Sequence, residues 1–184
     1  MLYIVCALKP EAQAFVDKYK LTSERLDGYK LFTNSSIILI LSGLGVENAR
    51  EATQTLINHF DITDDDIYLN VGICGATQEY KIGELIDIST IVYENISYTL
   101  TDSIDKTIHC LNSESTTDKH EIVDMESYGF YDAVTHSPAI KNIHILKVVS
   151  DHFEPRLVTK EKTKMLIFNA IDDINPIIYS KEIS

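Results

Sequence analysis

IYLNVGICGA, residues 67–76, is the stretch whose reading decides the fold. Ile67–Val71 is a short apolar run bounded upstream by the polar break Asp61–Asp66 and downstream by glycine, the pattern of a strand buried on both faces. Gly72 and Gly75 follow it, and glycine after a buried strand lets the backbone turn sharply and come close to a ligand. The chain has only seven glycines, and two more, Gly43 and Gly45, sit in a second such place, LSGLGVENA at residues 41–49. Ligands of open α/β sheets bind beyond the carboxyl ends of the strands, so two glycine turns after two buried strands mark one end of a sheet as the place for a site.

Strand and helix signals alternate on either side of this stretch. Leu2–Leu8 is a continuous apolar run with no basic segment before it, which reads as a first strand and not as a signal peptide. Pro10 starts a helix with Ala12, Phe15, Val16 and Tyr19 at helical spacing. Residues 29–34 and 36–42 read as two strands around Asn34-Ser35, and Val46–Phe60 as an amphipathic helix. Further on come a strand over 85–92, two short strands near 95–100 and 107–112, a helix over Met125–His136, a strand over Ile143–Val149 and a final helix over Thr159–Ile174. That last helix carries Met165, Phe168, Ile171 and Ile174 at helical spacing. Strands interleaved with helices predict an α/β protein with its sheet covered on both faces.

A length of 184 residues fits a single domain, 1–184, with one sizeable core. Cys6, Cys74 and Cys110 are odd in number and lack metal-ligand spacing, which argues for a reducing cytoplasm, against a disulfide framework and for no metal or cofactor. With 28 acidic against 16 basic residues the net charge is −12, which repels phosphate backbones and argues against a nucleic-acid partner. No apolar stretch approaches the length of a membrane helix, so no membrane partner is expected. The turn Gly43-Leu44-Gly45 is not a dinucleotide fingerprint either, because the next small residue comes one position late and no acid closes a following strand.

Three acids stand out by position: Glu11 just beyond the first strand, Glu126 at a helix start in VDMES, and Asp151 at the end of IHILKVVSD. Any one of them alone has an ordinary structural use, for an acid in a first helical turn complements the helix dipole.

Taken in order, five blocks resemble the methylthioadenosine/S-adenosylhomocysteine nucleosidases and the related purine nucleoside phosphorylases. They are IVCALKPEAQAF (4–15), LSGLGVENAREAT (41–53), NVGICGATQEYKIGELIDIS (70–89), VDMES (123–127) and VVSD (148–151). The resemblance implies a three-layer α/β/α fold with a mixed central sheet, phosphorylase/hydrolase-like. It implies a small-molecule nucleoside as ligand, cleavage of its N-glycosidic bond, and a homodimer. It carries over roles residue by residue. Asp151 matches the acid that protonates the departing purine, and must be partly desolvated to hold a proton at neutral pH, since a free Asp has a pKa of about 3.9. Glu126 matches the glutamate on the ribose hydroxyls, Met125 a residue packed on the sugar, and Glu11 the acid that positions and deprotonates water. Gly43, Gly45, Gly72, Ile73 and Ser150 fall in the same blocks, as substrate-binding positions.

The chain also departs from the family. Ile73 stands where Ser or Thr is usual, Asn70 where phosphorylases have arginine, and Lys147 where an arginine precedes the acid by four residues. The stretch from Thr90 to Val123 is shorter than in typical members, and HCLNSES (109–115) is expected to be what is left of the base-side strand and loop. A nucleosidase is the leading expectation. A nucleoside phosphorylase, or a non-catalytic nucleoside-binding protein retaining the fold, are the alternatives.

Overall fold

The computed structural model describes residues 1–102 and 105–179. The strands are β1 (Leu2–Cys6), β2 (Thr22–Leu26), β3 (Tyr29–Thr33), β4 (Ile37–Leu41), β5 (Ile67–Ala76), β6 (Leu85–Asp87), β7 (Thr90–Tyr93), β8 (Ile96–Thr99), β9 (Thr107–Cys110), β10 (Ile122–Asp124) and β11 (Asn142–Asp151). The helices are α1 (Lys9–Tyr19), α2 (Val46–His59), α3 (Ser127–Thr135) and α4 (Lys160–Tyr179), with a single 3-10 turn at Pro155–Leu157. The expected domain, 1–184, also takes in residues 103–104 and 180–184, which lie outside the described residues. Among the described residues no helix is long and apolar enough to cross a membrane.

One mixed sheet runs β2-β3-β4-β1-β5-β10-β9-β7-β8, with β11 beside β5 and β6 beside β11. Its centre, β4-β1-β5-β11, is parallel, and the outer pairs β2-β3, β3-β4, β6-β11 and β7-β8 are antiparallel. Helices α1 and α4 pack together against one face and α2 and α3 against the other, which makes the three layers. The two cores follow from strand alternation. Leu146 and Val148 of β11 face the α1/α4 side, with Phe15, Ile167 and Ile171. Ile145 and Val149 face the α2/α3 side, with Leu56, Phe130 and Val134. Lys147 lies between them on β11 and so shares the α2/α3 face.

Some elements differ from the sequence expectation, each for a physical reason. β2 is a polar edge strand with only Leu26 buried, so it lacks an apolar run. It is specified instead by the Asp27-Gly28 turn, where both residues have positive φ (48° and 90°). The strand expected over 85–92 breaks at Ile88-Ser89, where Ile88 N–H still donates to Ile145 of β11 while Ser89 N–H already donates to Lys106 before β9. Gly72 and Gly75 are not in a turn but inside β5, which runs on to Ala76 because β11 stays paired with it through Gly75. The helix expected from Met125 begins at Ser127, because Asp124 accepts the Ser127 N–H (2.9 Å) and hydroxyl (2.7 Å) and holds the preceding residues in a turn. On α4 the buried stripe is Leu166, Ile167, Ala170, Ile171, Ile174 and Ile178, which leaves Met165 and Phe168 exposed.

Helix α3 lies directly on the first turn of α2. A Cβ on Gly129 would sit 2.0 Å from the Val46 carbonyl oxygen and 3.1 Å from Arg50 N, both backbone atoms that cannot swing aside. Gly129→Ala is therefore expected to push α3 off α2 and to cost on the order of 1–3 kcal/mol, the usual range for overpacking. Thermal unfolding should register this as a fall in Tm of about 2–4 °C per kcal/mol, and an unchanged Tm would mean that the two helices are not in contact there.

Candidate active site

A cavity of about 270 Å³ opens at the carboxyl ends of the parallel strands. Glu11, Glu126 and Asp151 all line it, although they lie 115 and 25 residues apart along the chain, and Met125, Ile73 and Ser150 line it with them. Gly43, Gly45 and Gly72 are not part of this lining; Gly45 acts on it through its N–H to Glu126, and Gly72 by leaving room for Glu11. Leu44 between the first two reaches the cavity itself.

Glu11 is held by a defect in the sheet. β1 pairs with β5 only as far as Asn70, and β10 takes over that edge only at Gly75. The edge between is open, and the Ile73 N–H there would be orphaned inside the protein. Glu11, in the first turn of α1, fills the gap. Its Oε1 accepts from Ile73 N (3.0 Å) and its Oε2 from Leu8 N (2.8 Å). A Cβ on residue 72 would lie 2.9 Å from that Oε1, so only glycine lets the carboxylate approach. Burial raises the Glu11 pKa, while the two N–H groups and Lys147 pull it back.

Glu126 comes from the turn between β10 and α3. Its Oε1 accepts from Gly45 N (2.9 Å), a contact that depends on the close packing of α3 on α2 and on the positive φ (96°) of Gly45. Burial, then the neighbouring Asp124, push its pKa up to about 7, against the pull of Lys147 and the Gly45 N–H. Asp151 ends β11 just after a β-bulge at Val149–Asp151, which turns both Ser150 and Asp151 toward the cavity. Asp151 Oδ2 lies 2.7 Å from the Ser150 hydroxyl, and Oδ1 accepts from Glu154 N at 2.8 Å. That second bond needs the chain to double back, which it does through a positive φ (61°) at Phe153.

Lys147 does not reach the lining. Its ammonium is buried and sits 2.8 Å from Asp124 Oδ2. Burial alone would lower its pKa, but Asp124, Glu126 and Glu11 hold it well above the ordinary lysine value. Among the described residues no Lys, Arg or His side chain lines the cavity. Cys74 does line it, but burial pushes its thiol up, so it stays protonated and is a poor nucleophile. Leu111, Ser113, Glu114 and Ser115, from the HCLNSES stretch, form another part of the wall.

The three acids are legible in the sequence, whereas Asp124 and Gly129 are not. Asp124 was within the quoted VDMES but gave no signal of its own, and a glycine inside a helix declares its purpose only when the neighbouring helix is known.

Neither a sequence model of any protein family nor the sequence of any curated protein matches the chain; its likeness to known proteins is in the fold. It superposes on the 5′-methylthioadenosine/S-adenosylhomocysteine nucleosidase of Neisseria meningitidis with a TM-score of 0.77 at 14% identity, covering 98% of this chain and 99% of that one. The futalosine hydrolase of Helicobacter pylori gives 0.80 at 14% identity, covering 96% of each. The nucleosidase of Colwellia psychrerythraea, in complex with adenine, gives 0.71 at 17% identity, covering 91% of this chain and 93% of that one. The chain thus has the α/β fold with a mixed central sheet of these nucleosidases over nearly its whole length.

The raised pKa of Glu126 has a consequence for stability. An unperturbed glutamate has a pKa of 4.5, against about 7 here, so the folded protein holds this proton more tightly than the unfolded chain. That contribution is complete below pH about 4.5 and is lost as pH rises through about 7. Glu126→Gln has no such proton. Its Tm relative to the wild type is expected to rise between pH about 4.5 and 7, and a pH-independent difference between the two proteins would refute the perturbation.

Proposed function

We propose that the chain is a nucleosidase-type hydrolase that cleaves the N-glycosidic bond of a purine-type nucleoside. The observation that carries this reading is the convergence of Glu11, Glu126 and Asp151, with Met125 beside them, on one cavity in a nucleosidase fold. Cleavage of a ribosyl–purine bond passes through a sugar with oxocarbenium character, and three carboxylates suit its three demands. Asp151, at the bulged end of β11, protonates a purine ring nitrogen, so that the base departs as a neutral molecule carrying the bonding electron pair. Glu126 accepts hydrogen bonds from the ribose hydroxyls, and its charge stabilises the cation developing on the sugar. Glu11 orients a water toward the anomeric carbon. As the new C–O bond forms, the water's proton passes to Glu11. The products are the free base and the free sugar, and a second proton exchange with solvent restores both acids.

Water suits this cavity better than phosphate. A phosphorylase must hold a doubly charged anion beside the sugar with fixed positive charge or converging donors. Lys147, buried beside the site, is committed to Asp124, and Ile73 and Asn70 bring no charge. Glu11 would repel an anion at the position where the nucleophile enters. The adenine-bound and methylthioadenosine-processing relatives in the fold comparison favour an adenine nucleoside as the first substrate to try.

The test is a panel of purine nucleosides, with and without inorganic phosphate, read by release of free base and by the form of the sugar. Free ribose, at a rate independent of phosphate, is the expected product. Ribose 1-phosphate would make the protein a phosphorylase, and binding without base release would make it a nucleoside-binding protein. Asp151→Asn is expected to lower turnover by about 10²–10⁴-fold with little change in binding, and to spare substrates whose leaving group needs no protonation. Equal losses on both kinds of substrate would remove Asp151 from the acid role. Glu11→Gln is expected to abolish hydrolysis while the protein still binds the nucleoside.

A further inference from the structure

We propose that the buried Lys147–Asp124 ion pair is a positioning device for Glu126, in which Lys147 anchors Asp124 and Asp124 fixes the turn that presents Glu126 to the sugar. The inference rests on the reading of this cavity as a nucleoside site, and it assigns a task to two residues whose side chains are buried in the protein.

The starting point is the cost of the pair. Lys147 sits in the middle of β11 between Leu146 and Val148, and its side chain is 1% exposed against 0% for Asp124. Removing two charges from water is expensive, and a well-packed apolar pair in the same place is often as stable or more so. Stability is therefore a weak reason for this pair, and its contacts point to a different one. Besides Lys147 Nζ at 2.8 Å, Asp124 Oδ2 accepts from Ser127 N (2.9 Å) and lies 3.4 Å from Glu126 N, while Oδ1 accepts from the Ser127 hydroxyl (2.7 Å). Every one of these donors apart from Lys147 belongs to the turn that carries Glu126. The carboxylate thus ties that turn to β11, whose far end carries Asp151. One ion pair sets the spacing between the sugar-binding and the base-facing acids.

Lys147 also supplies the local charge balance. The titratable groups that bear on Glu126 are Asp124, Lys147 and Glu11, so one ammonium stands among three carboxylates. Asp124 pushes Glu126 toward its protonated form and Lys147 pulls it back. A carboxylic acid in place of the carboxylate would have one fewer acceptor for the ribose hydroxyls and no charge for the developing cation. The two members of the pair therefore act on Glu126 with opposite electrostatic sign, yet both act on its position with the same sign.

That difference makes the proposal testable. Lys147→Met, Asp124→Asn, the double variant and Lys147→Arg are compared by the carboxyl carbon-13 NMR titration of Glu126 in the ligand-free protein, and by KM and kcat on the nucleoside that the wild type cleaves. Lys147→Met is expected to move the Glu126 titration up, and Asp124→Asn to move it down. The double variant, which leaves no unpaired charge and so is the safest to fold, should titrate near the wild type. All three should raise KM by about tenfold or more, the loss of one charge-assisted hydrogen bond to the sugar, with a smaller effect on kcat. Lys147→Arg, which keeps the charge, should restore the wild-type titration. Should Lys147→Met fail to fold, Asp124→Asn and the double variant carry the same test. A pair that only stabilises the fold would lower Tm and leave both KM and the titration unmoved, and that result overturns the proposal. If the wild type cleaves no nucleoside, the nucleosidase reading fails instead, and the Glu126 titration still decides whether Lys147 and Asp124 act on it.

Discussion

The structure depends on the point at which two adjacent parallel strands part. β1 and β5 run together through Val5 and Asn70, and the Asn70 side-chain amide adds a last bond to the Val5 carbonyl at 3.2 Å. Then β1 ends and β5 continues for six residues, from Val71 to Ala76. A strand edge opened inside a protein leaves backbone groups without water, and such groups must find partners. The partner for Ile73 N–H is the carboxylate of Glu11, and this one bond places a buried acid at the carboxyl end of the sheet. The cavity is the space left by the parting strands. β10 closes it by pairing with the far end of β5, and β10 leads straight into the turn that brings Glu126.

This arrangement concentrates negative charge in a chain that is already strongly acidic. Four carboxylates, of Glu11, Asp124, Glu126 and Asp151, are buried around one cavity, and Lys147 is the buried ammonium among them. Each is stabilised by hydrogen bonds that a loosely held side chain could not make: backbone N–H groups for Glu11 and Glu126, the 124–127 turn for Asp124, a serine hydroxyl and a doubled-back amide for Asp151. Charge-assisted bonds from a fixed backbone are the strong kind, and they need no reorganisation when a ligand arrives. The apolar layers on both faces of the sheet supply the stability that tolerates such a site. A protein with a net stability of only about 5–15 kcal/mol has little margin for unpaired buried charge, which is why almost every oxygen at this site has a named donor.

Much of the fold was legible from local pattern. The apolar runs at Leu2–Leu8 and 36–42 and the mostly apolar stretch Ile143–Val149 read as buried strands, and the helical stripes of α1 and α2 were readable because their polar faces are unambiguous. The elements that escaped are those held by partners rather than by their own composition. β10 has three residues and exists because β5 and β9 flank it. β2 is polar and exists because β3 pairs with it. On α4 the spacing of Met165, Phe168, Ile171 and Ile174 fits a helix, but so does the stripe one step round it, and only the packing of α1 and the sheet selects the buried one.

The sequence by itself determined an alternating α/β chain, a strongly acidic surface and three acids placed at element ends, because periodicity, charge and local turn chemistry are written in neighbouring residues. Only the tertiary structure decided that Glu11, Glu126 and Asp151 share a cavity, that Gly72 and Gly75 lie within a strand instead of a turn, and that Lys147 faces Asp124 instead of the cavity. Those outcomes bring together residues as much as 140 positions apart, from Glu11 to Asp151. The physical reason is that a buried carboxylate or ammonium takes its position and its protonation from whichever donors and charges surround it, and those neighbours exist only once the strands have parted and the helices have packed.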